Sequence, residues 1–174
     1  ATLSVGRDFA HYCGQMGLDA GRTASWGSPY DFASQALLYV PQGLPEPNTQ
    51  EHTLAVVRAA LPVIQAAGGA AFMVFTSLRA MRSGHEHLEL ALAERGLRFP
   101  LLVQGEGSRS EMLARFRQLG NAILVGSQSF WEGVDVRGEA LSVVVIDKLP
   151  FASADDPVLA ARIEAMNREG RSPF

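Results

Sequence analysis

Apolar positions along the chain fall into two alternating patterns. Short unbroken runs are separated by longer stretches in which apolar residues recur every three or four positions. The unbroken runs are ALLYV (36–40), AAFMVF (70–75), FPLLVQ (99–104), AILVG (122–126) and LSVVVI (141–146). Each has strand length and ends at Gly, Pro or polar residues, so each predicts a strand. AILVG carries no polar alternation, which marks a strand buried on both faces of a parallel sheet. LSVVVI is of the same kind.

The stretches between them predict helices. Asn48, followed by Glu51, is an N-cap with a carboxylate three residues on, opening a helix at 49 that runs to about 67. Leu54, Val57, Leu61 and Ile64 share its apolar face, and Pro62 is expected to bend or split it. Thr76 and Ser77 open a second helix, which runs to about 95 and stops at Gly96. Ser108 and Glu111 form a capping box for a third, ending at Gly120. Asp156-Pro157 is an N-cap and N1 pair for a last helix reaching about 169. Residues 1–34 read as an irregular leading segment with a short helix around 6–16, and the prolines of PQGLPEPN (41–48) exclude regular structure there.

Strand and helix thus alternate. The pattern predicts an α/β domain: a mostly parallel sheet with helices on both faces, in three α/β/α layers. Ligands of such sheets meet the loops at the carboxyl ends of the strands. Those loops are TSLRAM after 75, QGEGSRS after 103, GSQSFWEGVDV after 125 and DKLPFA after 146.

Composition narrows the picture. With 174 residues, 47% of them hydrophobic, the chain supports one complete core. No apolar run approaches the roughly 20 residues a membrane helix needs, and no basic-then-apolar leader is present. No membrane partner is therefore expected. Cys13 is the single cysteine, so no internal disulfide and no cysteine-built metal or iron–sulfur site is expected here. That usage fits a reducing, cytoplasmic setting. A net charge of −3 makes no global case for nucleic acid. Of 15 basic residues only Lys148 is a lysine, and it follows a predicted strand in IDKLPF (146–151). The chain starts without an initiator methionine and stops at GRSPF (170–174), the pattern of an excised domain.

Most candidate sites have plain explanations. GEGSRS (105–110) lacks the third glycine of a dinucleotide fingerprint and reads as a tight turn into a capped helix, although free amides there could receive a phosphate. HEH (85–87) places two histidines on different helix faces, without HExxH, and reads as a solvated face. His11 and His52 have no partners at ligand spacing. TSLR (76–79) stays open between simple capping and a backbone-phosphate contact by Thr76, Ser77 or Arg79. No G-x-x-x-x-G-K-[ST] occurs, because Lys148 follows Asp147, so the chain has no P-loop of its own.

SFWEGVDV (129–136) is different. Core aromatics with a turn at Gly133 would explain part of it. Burying Trp131 beside Glu132 and Asp135 would nonetheless cost desolvation without an evident partner. An interface accounts for more: hydroxyls at Ser127 and Ser129 for phosphates, an aromatic for a base or a neighbouring domain, carboxylates for a ribose or an arginine. Gly133 lets a backbone approach closely.

GSQSFWEGVDVRGEALSVVVIDKLPFASADDPVLAAR (126–162) resembles the motif V region of DinG/XPD-type superfamily 2 DNA helicases, with WEGVD and KLPF its most specific pieces. FTSLRAM (75–81) is similar to the FTS motif of that family, and QGEG (104–107) to its QG element. SPYDFASQALLYVP (28–41) resembles the lead into the second motor domain, and ATLS at the start the tail of the SATL motif. The bacterial DinG/YoaA branch fits better than the eukaryotic one.

The resemblance implies a motor of two RecA-like domains, hydrolysing ATP with Mg²⁺ between them and moving 5′→3′ on single-stranded DNA in the service of DNA repair. Residues 1–34 would lead in from the first motor domain, and 35–174 would be the second, cut before the arginine-bearing motif VI. The first RecA-like domain would be its partner and would carry any iron–sulfur cluster. Glu132, Gly133 and Asp135 would face the nucleotide. Thr76, Ser77, Arg79, Ser127, Gln128, Ser129, Trp131 and Lys148 would face DNA. No catalytic group, cofactor or metal ligand would be held by this chain alone. The competing reading is a stand-alone, non-catalytic Rossmann-like module that binds a nucleotide or a protein.

Overall fold

The computed structural model describes residues 3–18, 20–47, 49–127, 130, 134–136, 138–150 and 156–170. Residues 1–40 and 41–174 form two separate units.

In the first unit, helix α1 spans Ala10–Met16 and a single four-residue turn, α2, spans Phe32–Gln35. Asp31 caps α2, its carboxylate accepting from the Ala33 amide. ALLYV (36–40) forms no strand, contrary to its apolar pattern. The Ala36 amide donates to the Phe32 carbonyl at the end of α2, and the backbone that follows is irregular. Leu37 and Leu38 are both 89% exposed.

The second unit is built on four parallel strands: β1 (Ala71–Phe75), β2 (Leu101–Val103), β3 (Ile123–Ser127) and β4 (Val143–Ile146), in the order β2-β3-β1-β4. Met73 lies opposite Val125 on one side and Val145 on the other. Helices α3 (Gln50–Ala66) and α4 (Leu78–Glu94) supply Val57, Leu61, Ile64, Leu88 and Leu92 to one face of the sheet, packed with Ala71, Met73, Phe75, Ile123 and Val125. Helix α5 (Arg109–Leu119) supplies Met112, Leu113 and Phe116 to the other, against Phe72, Val74, Leu102 and Leu124. Alternate strand residues feed the two cores because side chains alternate across a strand. Phe72 meets Phe116 edge-on, with ring centroids 4.7 Å apart. This is the three-layer parallel α/β arrangement of a RecA-like domain.

Several local expectations need correcting. Pro62 does not split α3, which is continuous across it. Pro62 and Arg58, the residue whose carbonyl loses its helical donor to the proline, are both exposed, while Leu61 and Ile64 are buried in the core. The N-cap of α3 is Thr49, whose hydroxyl accepts from the His52 amide at 3.1 Å; Asn48 lies outside the described residues. β4 is not buried on both faces. It is an edge strand, with Val144 57% and Ile146 46% exposed. The capping box of α5, its end at Gly120, and the Asp156 cap of α6 (Pro157–Arg168) are as the sequence predicts. No helix among the described residues is long and apolar enough to cross a membrane.

Candidate nucleic-acid interface

All four strands run parallel, so their carboxyl ends share one edge, and each ends at a polar side chain. Gln104 follows β2, Ser127 closes β3, Thr76 follows β1 and Asp147 follows β4. These side chains pair across neighbouring strands. Gln104 Oε1 accepts from the Ser127 amide at 2.7 Å and from its hydroxyl at 2.9 Å, joining β2 to β3. Asp147 Oδ1 accepts from the Thr76 amide at 3.1 Å, and Oδ2 from the Thr76 hydroxyl at 3.4 Å, joining β1 to β4. The Lys148 amide also donates to Asp147 Oδ1, at 2.8 Å. Burial pushes the Asp147 carboxyl above the ordinary carboxylate range. The Lys148 amide and charge, and the Thr76 amide and hydroxyl, oppose that shift.

A cleft of about 240 Å³, lined mostly by residues with polar side chains, opens beside the Thr76–Asp147 pair. Ser77, Arg79 and Lys148 line it, together with Thr49, Gln50 and Thr53 from the start of α3 and Ser83 from α4. Ser77 caps α4 by accepting from the Ala80 amide at 3.1 Å. The amino-terminal ends of two 17-residue helices thus open on the same cleft, where helix dipoles favour negative charge. The bare spacing of TSLR does not choose between capping and a ligand contact. Ser77 does cap its helix, and it also lines the cleft.

The rest of the predicted set is placed unevenly. Ser127 is 7% exposed, with its hydroxyl donated to Gln104. Asp135 is exposed, and its carbonyl accepts from Arg117 Nη2 of α5 at 2.7 Å. Phe130 is a core residue, 4% exposed, with the Arg109 guanidinium 5.5 Å from its ring centroid. Its ring lies against Gly126, where a Cβ would stand 3.0 Å from Phe130 Cδ2. Gln128, Ser129, Trp131, Glu132 and Gly133 lie outside the described residues. No group of three or more His, Cys, Asp or Glu among the described residues is arranged to hold a metal ion.

Three residues of the site escape the sequence reading. Gln104 and Asp147 stand inside quoted motifs, but their partners lie 23 and 71 residues away, which spacing alone does not reveal. The His52 ring faces backbone carbonyls, those of Pro45 and Asp147, and a backbone partner leaves no trace in sequence.

Comparison with known proteins agrees with this architecture. Residues 60–174 match the family described as "Helicase C-terminal domain". Over its full length the chain is 42% identical to the ATP-dependent DNA helicase YoaA of Escherichia coli, of which it covers 27%. It is 38% identical to the ATP-dependent helicase DinG of Mycobacterium tuberculosis, covering 26% of that protein. It is 30% identical to the 3′-5′ exonuclease DinG of Bacillus subtilis, covering 19%. The chain therefore spans about a quarter or less of the length of these curated relatives. It belongs to the helicase C-terminal domain family, of the DinG/YoaA type.

Proposed function

We propose that this domain is the second motor domain of an ATP-dependent 5′→3′ DNA helicase, and that its cleft takes the backbone of single-stranded DNA. The observation that supports this most directly is the convergence of Ser77 and Arg79, from the start of α4, and Lys148, from the turn after β4, on one cleft at the carboxyl edge of the sheet. A phosphate there meets hydroxyl donors, two cationic side chains and the ends of two helix dipoles. The net charge of −3 does not oppose this, because phosphate binding responds to the local field rather than the total.

ATP belongs to the other side of the reading. The chain carries no P-loop, and its single lysine follows Asp147 rather than a glycine turn, so its own residues do not fit a complete nucleotide and Mg²⁺ site. Glu132, Gly133 and Asp135 supply one wall of a cleft that the first RecA-like domain completes. Arg117, bonded to the Asp135 carbonyl, connects that wall to α5. Cys13 alone cannot hold an iron–sulfur cluster, so any cluster belongs to the first domain. A cytoplasmic role in DNA repair follows from the same reading.

The test is binding of a labelled oligo(dT) strand across a range of salt concentrations. Weak, salt-sensitive binding is expected. Replacing Arg79 or Lys148 by Ala should make the log–log salt dependence shallower by about 0.7 for each phosphate no longer neutralised. Binding that is unchanged by the Trp131→Ala/Lys148→Ala double substitution would sink the assignment of the DNA face.

A further inference from the structure

We propose that His52 is the positioning residue of this cleft, holding the end of β4, and with it Lys148 and Thr76, against the first turn of α3. The inference rests on the reading of the cleft as a strand-binding site.

His52 is the third residue of α3 and is 6% exposed. Its ring Nδ1 lies 2.9 Å from the Pro45 carbonyl oxygen, and Nε2 lies 3.0 Å from that of Asp147, 95 residues away in sequence. Both neighbours are acceptors, so a ring nitrogen that bonds either must carry the proton. One imidazole thus stands between the proline-rich loop ahead of α3 and the turn that follows β4, the neutral ring donating to one of the two carbonyls and the doubly protonated ring to both.

Asp147 passes that restraint on. Its carbonyl faces His52, while its carboxylate accepts from the Thr76 amide and hydroxyl and from the Lys148 amide. Fixing Asp147 therefore fixes the backbone from which Lys148 extends and the residue just ahead of Ser77. The His52 bond adds a hold from α3 to a turn that Thr76 holds from the β1 side. His52 lines the cleft, but both its ring nitrogens face carbonyls, so it acts on a strand there through Asp147.

The two ring nitrogens can be separated by substitution. Glutamine places an amide nitrogen near the Nε2 position and keeps the Asp147 bond. Asparagine places one near Nδ1 and keeps only the Pro45 bond. His52→Asn is expected to weaken oligo(dT) binding by about three- to tenfold, the range spanned by one net hydrogen bond. His52→Gln should restore binding to near the parent level. Because the effect runs through the turn that carries Lys148, the loss in His52→Asn/Lys148→Ala should be smaller than the sum of the two single losses, which a general loss of stability would not produce.

Additive losses in the double variant, or a His52→Gln as weak as His52→Asn, would overturn the positioning role while leaving the cleft reading intact. Unchanged binding in Lys148→Ala would overturn both. The unmodified chain offers a check that needs no variant to fold. The Nε2 proton of His52 should be visible by NMR and exchange slowly, and a ring carrying no proton on Nε2 has nothing to donate to Asp147.

Discussion

Asp147 holds Thr76 by two bonds, from the amide at 3.1 Å and from the hydroxyl at 3.4 Å, and so joins the ends of β1 and β4. The carboxyl is buried, and burial raises its pKa above the ordinary carboxylate range despite the donors around it. In the unfolded chain the same group ionises at its usual, lower pH. Between those two values the folded state binds more protons than the unfolded one. This residue's contribution to stability therefore falls as pH rises through that window.

Asp147→Asn should remove that component. Chemical denaturation at a series of pH values should show the parent gaining stability relative to Asp147→Asn as pH drops from neutral towards the ordinary carboxylate range. Parallel curves for the two proteins would mean that the carboxyl is not perturbed by its surroundings.

Gly84 of α4 lies directly over Phe75 of β1. A Cβ there would stand 2.2 Å from Phe75 Cζ, and the ring is 1% exposed with no room to retreat. Alanine favours a helix by about 1 kcal/mol over glycine, but overpacking a closed core costs about 1–3 kcal/mol. At so short an approach the upper part of that range applies. Gly84→Ala should lower the unfolding free energy by about 2 kcal/mol, read from urea denaturation, and adding Phe75→Leu should recover part of the loss. An unchanged denaturation midpoint in Gly84→Ala would show that α4 moves off the sheet without penalty.

How far the sequence reaches is visible in these two pairings. The strands β1 to β4 and helices α3 to α6 announce themselves through periodicity and caps, because both depend on residues a few positions apart. ALLYV (36–40) fails as a strand because apolar composition reports a tendency towards burial and does not by itself pair a backbone. LSVVVI (141–146) misleads for a related reason: an edge strand and a central one read alike until the strand order is known. The same limit applies to the cleft. Ser77, Arg79 and Lys148, which line it, stand in motifs that the sequence displays, whereas the His52 ring faces carbonyls that carry no side-chain signature.

The start of α5 offers a second titration of opposite sign. Ser108 and Glu111 cap each other, the hydroxyl donating to the carboxylate at 2.7 Å and the Ser108 amide at 2.9 Å. Those bonds, the hydroxyl's first, hold the Glu111 carboxyl below its ordinary value. Its contribution to stability is present above the unfolded pKa and is lost as pH falls through the folded one. Glu111→Gln should flatten the acid side of the stability profile, and Ser108→Ala should bring the Glu111 titration, followed by carboxyl carbon NMR, back up towards the ordinary range. A Glu111 titration that does not move in Ser108→Ala would assign the depression to the helix terminus instead.

The chain by itself should not turn over ATP, with or without DNA. Phosphoryl transfer is catalysed mainly by positioned charge around the departing phosphate, and the lysine that serves this purpose in a P-loop has no counterpart here. Lys148 is the only lysine, and its amide is bonded to the carboxylate of Asp147 at the edge of the cleft read as the DNA site. Phosphate release measured with the purified chain should match buffer alone, with or without added oligo(dT). Release that follows the chain through successive purification steps and falls in Asp135→Ala would place a working nucleotide site within these 174 residues. That result would overturn the division of labour between two motor domains, and the cleft beside Thr76 and Asp147 would then need a different ligand.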